Sequence, residues 1–234
     1  MSARGAGWMR AASAITAKDL RIEGRTLRTA AATGLFALVV LVVFAFAFDL
    51  DTVRRLGAPR VVPGVIWITL AFSALVGFTR SYELERQRDA IAALAIAPID
   101  RGAVFAGKCA ANLAMLLTLA AVLLPLTLVF FDAGREGAAL PLVAVTVLHT
   151  VGLAELGTLF GAVASRLARG EALLAVLLLP AATPLFLSAV QCTRGVLEGA
   201  PLSDNARWML VTAGCDVLYF LVALLVFESV LEEG

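Results

Sequence analysis

Long apolar runs with few charged residues constrain this chain more than any other feature. Residues 31–48 read AATGLFALVVLVVFAFAF, and five further apolar runs follow. At ~1.5 Å per residue of helix, each run can cross the ~30 Å hydrocarbon core of a bilayer when tilt is allowed. Backbone polar groups in hydrocarbon must be satisfied internally, so the runs are predicted to be helices. The six predicted spans are residues 31–48, 61–79, 109–131, 139–164, 172–190 and 207–230.

Composition agrees with an integral membrane protein of the all-α class. Hydrophobic residues make up 61% of the chain and mean hydropathy is +0.92, whereas soluble domains contain roughly 45–50% apolar residues. The formal net charge of +1 provides no basic field over the whole chain. We therefore expect a membrane lipid environment and no nucleic-acid partner.

The distribution of basic residues predicts the orientation of the spans. With both termini in the cytoplasm, thirteen Lys and Arg residues lie inside and six lie outside. Cytoplasmic loops carry an excess of Lys and Arg, so this arrangement follows the positive-inside rule. The sequence therefore predicts an N-in, C-in topology, with a permease domain over residues 31–230.

The segment 1–30 is predicted to lie in the cytoplasm or at the membrane surface. From residue 11 to residue 29, charged residues such as Lys18 and Arg21 alternate with apolar ones such as Ile15 and Leu20. This pattern is typical of an amphipathic helix on the inner leaflet. A plain basic flank before the first span is the alternative.

The stretch 80–108 is the long charge-dense segment between two strongly apolar ones, and we interpret it as a cytoplasmic hairpin. Its first half consists of good helix formers with an apolar face, Pro98 then ends that helix, and Asp100 is placed to cap a second one. Lys108 is expected to mark the water boundary of the next span. A passive connector is the alternative, but the apolar stripe favours a docking surface for another protein. The predicted docking residues are Glu83, Leu84, Glu85, Asp89, Ile91, Leu94 and Pro98.

Two features in the spans predict local irregularity or close packing. Pro180 and Pro184 remove backbone donors from the fifth span, so we expect a hinge or a break there. Gly157, Gly161 and Ser165 recur every four residues in the fourth span and would let another helix approach closely. Packing within the chain is the favoured reason for that pattern.

Three ionisable residues fall inside predicted spans, where such groups are costly and are candidates for function. They are His149, Glu155 and Asp216. His149 and Asp216 lie at similar depths, and a structural pair between them is favoured over haem ligation or proton handling. Glu155 belongs to a different face of its helix.

Motifs for catalysis or for a tightly bound metal are missing from the sequence. Residues 102–109 read GAVFAGKC, which resembles a P-loop but lacks the final Ser or Thr and the α/β context. H-E-x-x-H and G-x-S-x-G are both absent. The cysteines Cys109, Cys192 and Cys215 have no metal-ligand spacing, so small apolar packing is favoured, with a Cys192–Cys215 disulfide as the alternative. An enzyme is therefore poorly supported, and no metal site is expected.

The chain resembles a known family of transport proteins. The N-terminal KDLRIEGRTLR, six spans and the hairpin sequence ELERQRDAIAALAIAPIDRGAVFAGK are similar to those of type 2 ABC exporter permeases. The stretch VPGVIWITLAFSALVGFTRSYELERQRDAI resembles more narrowly the haem exporter protein B (CcmB) family of bacterial cytochrome c maturation.

The resemblance implies a multi-pass permease subunit in the bacterial inner membrane. It implies a separate ATPase subunit that binds ATP, a second copy of the chain, and other cytochrome c maturation proteins as partners. It further implies that Glu83, Glu85, Asp89, Leu94 and Pro98 belong to a coupling helix that receives the movement of the ATPase. Haem is the implied cargo, and no cofactor is expected in the chain itself. A permease for lipid, polysaccharide or drug and a scaffold without transport activity are the alternatives.

Overall fold

A computed structural model describes residues 2–87, 100–165 and 170–232, and every regular element in those ranges is helical. The order of the elements along the chain follows from the apolar runs and from the turns between them. The helices are α1 (Ser2–Thr26), α2 (Arg28–Ala47), α3 (Leu50–Leu56), α4 (Ala58–Gln87), α5 (Arg101–Phe130), α6 (Ala139–Ser165), α7 (Gly170–Ala181), α8 (Thr183–Glu198), a 3₁₀ turn (Leu202–Asn205) and α9 (Ala206–Glu232).

Length and apolar character make the protein a multi-pass membrane protein. Within the described ranges, five helices can cross a bilayer alone, and α7 with α8 can form a sixth crossing. We call the end of the bundle with the turns at 48–57, 131–138 and 199–205 the Asp132 end, and the opposite one the Asp100 end. Arg54 and Asp132, 3.9 Å apart, connect two turns at the Asp132 end.

The bent crossing follows from its prolines. Helices α7 and α8 form an angle of 55° on either side of Ala182, and that residue lies between Pro180 and Pro184. Each proline removes one backbone donor and clashes with the carbonyl of the preceding turn. The expected single run 172–190 is therefore two helices, of which the second continues to Glu198.

Two helices extend well past the spans predicted for them. Helix α4 continues without a break from the second apolar run to Gln87, and α5 begins at Arg101, capped by the Asp100 side chain that accepts from the Ala103 amide. The predicted cap at Asp100 is confirmed, and the helix that begins there continues without a break into the predicted span. The side chain of Lys108 is only 5% exposed, and its place at the water boundary stays a prediction.

Helix α1 packs against the Asp100 end of α5, a contact that the sequence did not predict. Thr16 Oγ1 donates to the Gly107 carbonyl at 2.9 Å, and Ile15 is buried where a side chain on Gly107 would collide with it. The chain then turns at Leu27, which has a left-handed φ of 49°. Glu23 accepts from the Ala30 amide at 2.7 Å and so satisfies one donor at the start of α2.

Helices α4 and α6 form the centre of the bundle. Phe78 of α4 occupies the space that a side chain on Gly157 would need. Tyr82 of α4 likewise occupies the space that a side chain on Gly161 would need. Those two glycines therefore serve packing within the chain, as favoured from the sequence. Apolar clusters fill the two halves of the bundle around this contact, with Phe78, Phe105 and Leu153 toward the Asp100 end and Leu41, Ile66 and Phe131 toward the Asp132 end.

Candidate functional site: polar side chains inside the bundle

His149 lies in the core of the bundle with both ring nitrogens in hydrogen bonds. Nδ1 is 2.7 Å from the Val145 carbonyl, and Nε2 is 2.9 Å from Thr212 Oγ1 and 3.1 Å from Ser188 Oγ. A carbonyl only accepts, so Nδ1 carries the proton and the lone pair of Nε2 accepts from a hydroxyl. The imidazole is 2% exposed. In this arrangement neither nitrogen is open to a haem iron.

The partners of His149 connect three helices to one another. Ser188 Oγ of α8 donates to the Trp208 carbonyl of α9 at 2.7 Å, and lies 2.7 Å from Thr212 Oγ1. The Trp67 ring of α4 lies 5.5 Å from the imidazole, and its Nε1 donates to Thr193 Oγ1 at 2.9 Å. We call His149, Ser188, Thr212, Trp67 and Thr193 the His149 cluster. It binds α4, α6, α8 and α9 together in the half of the bundle nearer the Asp132 end.

The predicted pair between His149 and Asp216 is wrong. Helices α6 and α9 run parallel, and His149 is level with Thr212, which precedes Asp216 by one helical turn. Thr212 is closer to the start of α9 than His149 is to the start of α6, so α9 begins deeper in the bundle. Depth measured from each helix start cannot reveal that offset.

Glu155 and Asp216 form a second polar site, which we call the carboxylate pair. Their side chains are 5% and 9% exposed, and the two carboxyl groups lie close enough to interact electrostatically. A carboxylate oxygen of Asp216 lies against Gly152, where any side chain would overlap it. Glu155 Oε2 and Asp216 Oδ1 are buried, and neither has a hydrogen-bond partner among the residues that the structure describes.

A third group of polar contacts lies on the Asp100 side of the carboxylate pair. Thr158 Oγ1 accepts from Asn112 Nδ2 at 2.8 Å, and the Thr158 carbonyl accepts from the Tyr82 hydroxyl at 2.6 Å. Lys108 Nζ lies 5.8 Å from the centre of the Tyr82 ring, in the geometry of a cation–π contact. Asn112 and Tyr82 were not predicted to be interior polar residues, although an Asn in an apolar run is a visible signal.

The arrangement favours packing, proton exchange or passage of a ligand over covalent chemistry. In residues 2–87, 100–165 and 170–232, no group of three His, Cys, Asp or Glu side chains could hold a metal ion. Cys109, Cys192 and Cys215 are free thiols, so the disulfide between the last two is not formed. The two hydroxyls in contact with His149 are fully buried, and Ser188 Oγ donates its proton to the Trp208 carbonyl.

The structure places part of the predicted docking surface on a defined element. Glu83, Leu84 and Glu85 belong to the last turns of α4. Asp89, Ile91, Leu94 and Pro98 lie outside the described residues. Binding of a partner at this surface therefore stays a prediction, and so does a hinge motion at Pro180 and Pro184, although these two prolines flank the 55° bend.

Comparison with known proteins covers almost the whole chain. Residues 10–232 match the family model described as CcmB protein. A relative in Bradyrhizobium diazoefficiens (strain JCM 10833 / BCRC 13528 / IAM 13628 / NBRC 14792 / USDA 110), named Heme exporter protein B, is 29% identical over 213 residues, which cover 88% of this chain and 90% of the relative. The match includes the α4–α5 connection, both polar sites and the bent crossing. The chain therefore belongs to the CcmB family of multi-pass membrane proteins.

Proposed function

We propose that this chain is the permease subunit of an ABC transporter that exports haem, or a component needed for haem delivery, across the bacterial inner membrane for cytochrome c maturation. The observation that carries the proposal is the family match over residues 10–232, together with a relative named Heme exporter protein B. Five helices long enough to cross a bilayer, and a bent pair that can form a sixth crossing, support a role in transport across the membrane.

The energy for transport is proposed to come from a separate ATPase subunit, in a complex with two copies of each chain. Among the described residues, α1 packs against α5, and the other eight helices and the 3₁₀ turn belong to the membrane bundle or to its short connections. The sequence segment that resembles a P-loop lies at the start of α5, inside this helical bundle. A P-loop is a loop that follows a β-strand, whereas the segment in this chain is part of helix α5.

The proposed docking surface lies between two helices that cross the whole bundle. Helix α4 enters it through Glu83, Leu84 and Glu85, and α5 leaves it at Asp100. We infer that closure of the ATPase moves this connection, and that α4 and α5 carry the movement into the bundle. The 55° bend at Ala182 supplies a second element that can change shape.

Substitution in the docking surface tests the link to an ATPase. Asp89→Lys with Leu94→Lys reverses a charge and removes an apolar contact, so co-purification of the partner ATPase with the tagged chain should fall strongly. Asp132→Lys is the matched control, because its side chain is 76% exposed at the opposite end of the bundle. Equal recovery of the ATPase with all variants would refute the docking role.

Cysteine labelling in intact cells tests the orientation. After replacement of the three native cysteines by Ala, Ala92→Cys should resist a reagent that does not cross the inner membrane, and Glu136→Cys should react. Labelling at Ala92→Cys but not at Glu136→Cys would reverse the topology and remove the docking surface from the reach of a cytoplasmic ATPase.

Reconstitution with the ATPase tests the cargo. Haem added to vesicles that contain both subunits should stimulate ATP hydrolysis, whereas lipid, polysaccharide or drug candidates should not. Stimulation by one of those compounds and not by haem would identify a permease with another substrate. Cytochrome c assembly that survives a hydrolysis-deficient ATPase would favour a scaffold.

A further inference from the structure

The carboxylate pair brings two acidic side chains together in the interior of the bundle. Glu155 of α6 and Asp216 of α9 are both more than nine-tenths buried, and Glu155 Oε2 and Asp216 Oδ1 have no hydrogen-bond partner among the described residues. Buried acidic groups are costly unless something neutralises them. The ion pairs between described residues lie elsewhere, at Lys18 and Asp19, Arg54 and Asp132, and Arg194 and Glu198.

Few charged groups surround the pair. Thiol and phenol groups are uncharged at neutral pH, and the ring of His149 is neutral because its Nε2 accepts a hydrogen bond. Helices α7 and α8 contribute apolar side chains such as Leu178 and Leu185. The ammonium group of Lys108 lies over the Tyr82 ring. The titratable side chains described around the pair on α4, α5, α6 and α9 are Tyr82, Lys108, Cys109, His149, Cys215 and Tyr219.

Without a proton, the pair would carry two negative charges in an apolar interior. Even if the ammonium group of Lys108 offsets one of them from its place over Tyr82, the second charge has no counter-ion in the set of side chains named above. A carboxyl group in such surroundings takes up a proton rather than remain ionised. The balance of charge therefore calls for a proton on the pair.

A single proton also satisfies the hydrogen-bonding groups. An ionised carboxylate only accepts hydrogen bonds, whereas a protonated carboxyl group has an O–H that donates. Glu155 Oε2 and Asp216 Oδ1 both accept when ionised, so a proton on one carboxyl group supplies the donor that they lack. A metal ion takes a larger set of ligands, and no group of three His, Cys, Asp or Glu side chains in the described ranges offers one.

The pair lies beside the bent crossing. Asp216 Oδ1 and the side chain of Leu185 in α8 both lie against Gly152. About one turn after Asp216, the Tyr219 hydroxyl donates at 2.7 Å to the carbonyl of Ala181, the last residue of α7. Helix α9 thus contacts α6 through Asp216 and the bend through Tyr219. A movement at the bend would displace α9 relative to α6 and open the pair to water.

We infer that the carboxylate pair is a binding site for one exchangeable proton, which it holds while α9 packs against α6 and releases when the two helices part. In the bound state, one of the two carboxyl groups carries an O–H bond. On release that bond breaks and the proton passes to water, which leaves both groups ionised without any oxidant or reductant. The site goes beyond the proposed export function and does not depend on the identity of the cargo.

Infrared spectroscopy of the full chain in lipid nanodiscs tests for the proton. The C=O stretch of a protonated carboxyl group is distinct from the stretches of a carboxylate. As the pH rises from neutral, the wild type should lose the band of one protonated carboxyl group per chain that the double variant Glu155→Gln, Asp216→Asn lacks. Glu198→Gln is the matched control, because that carboxylate is 47% exposed in an ion pair with Arg194, and its spectra should change as those of the wild type do.

The pH dependence of unfolding provides a second measurement, which needs no assignment of a band. If the folded pair holds a proton that the unfolded chain has already lost, unfolding releases that proton, and stability falls as the pH rises. This fall should extend from the pH at which ordinary carboxyl groups ionise to the pH at which the infrared band is lost. Across that range the unfolding equilibrium constant of the wild type should rise about tenfold per pH unit relative to the double variant.

Three outcomes would overturn the inference. The first is that the wild type and the double variant agree in their infrared spectra or in the pH dependence of their unfolding. The second is the loss of two protonated groups per chain, since each carboxyl group would then be neutral on its own. The third is that the band is missing at neutral pH and Na⁺ or K⁺ stabilises the wild type but not the double variant, which would identify a metal-cation site. Stimulation of the ATPase by haem tests the export function separately from all three.

Discussion

The His149 cluster and the carboxylate pair lie one to two helical turns apart on α6, yet they satisfy their polar groups in opposite ways. In the cluster, both nitrogens of His149 and the hydroxyls of Ser188 and Thr212 have partners on three helices. In the carboxylate pair, one oxygen of Glu155 and one of Asp216 are buried and have no hydrogen-bond partner among the described residues. The first arrangement is suited to holding helices together, and the second to exchanging a proton or a partner.

The difference teaches that burial alone does not identify a functional residue inside a membrane protein. A buried polar group with all its partners stabilises one arrangement of helices. A buried carboxylate without a partner costs free energy in that same arrangement, and ionisable groups inside spans are therefore candidates for function. The two sites should therefore respond with opposite signs to substitutions that preserve shape.

The largest effect is expected at Gly152, on the boundary between the two sites. Gly152→Ala places a methyl group on a carboxylate oxygen of Asp216 and against Leu185. Such overpacking should lower the free energy of unfolding by about 2–3 kcal/mol, measured by thermal unfolding in detergent. Gly214→Ala, which meets open space, should change little. The double variant with Asp216→Ala should recover part of the loss, and full additivity would show that Asp216 does not lie against Gly152.

Removal of one hydroxyl from the His149 cluster should have the next largest effect. Thr212→Val keeps the shape and removes the partner of His149 Nε2 and Ser188 Oγ. Hydrogen bonds between membrane helices contribute on average ~0.6 and at most ~1.7 kcal/mol, and the loss should fall in that range. Thr118→Val is the control, since that hydroxyl bonds only its own helix at Ala114. Equal losses would mean that the cluster holds no helices together.

The carboxylate pair should give a smaller effect of opposite sign. Glu155→Gln replaces a carboxyl group near Asp216 with an amide that cannot be ionised and that supplies a donor, so the free energy of unfolding should rise by about 0.5 kcal/mol or stay unchanged. Asp216→Asn should behave in the same way. A loss of more than about 1 kcal/mol in either variant would reveal a partner for the carboxylate and remove the contrast with the His149 cluster.

The smallest and most local effect concerns a carboxylate outside the spans, which has the partner that the buried pair lacks. Asp49 caps α3, and hydrogen bonds from Thr52 lower the pKa of Asp49 below its ordinary value. Because the pKa is lowered, the ionised cap stabilises α3 fully at pH values above the unfolded-state pKa. This stabilisation is lost as the pH falls through the folded-state pKa. The amide hydrogen-exchange rate of residues 50–56, relative to the unfolded chain, should therefore rise as the pH falls through the folded-state pKa of Asp49. In Asp49→Ala this rise should be absent. The same acid dependence in Asp49→Ala would refute the cap.

Much of the fold could be predicted because apolar runs and prolines act locally. The five long apolar helices and the bent pair α7–α8 follow from runs long enough for the hydrocarbon thickness, and the bend at Ala182 follows from the two prolines that flank it. The turn at Leu27 could not be predicted, because no glycine or proline marks its left-handed φ. Nor could the buried position of Lys108, because burial depends on where α1 and Tyr82 pack.

The sequence identified the ionisable residues inside the spans but not the residues that they contact. His149, Glu155 and Asp216 could be recognised because ionisable groups stand out in apolar runs. Their partners depend on the relative heights of α6 and α9, and that offset is set by the 3₁₀ turn and the contacts that precede α9. Hydroxyl partners such as Ser188 and Thr212 are common in spans, so sequence alone gives no reason to select them.

The unbroken length of α4 has a mechanical consequence. Its 30 residues form a helix of about 45 Å, which ends at Gln87 in the predicted docking surface and holds Trp67 against the imidazole about a third of the way along. Its one internal proline, Pro63, lies before Trp67, so no proline interrupts the helix between Trp67 and Gln87. A movement at the proposed docking surface that tilted α4 as a unit would therefore displace the Trp67 indole relative to the imidazole of His149.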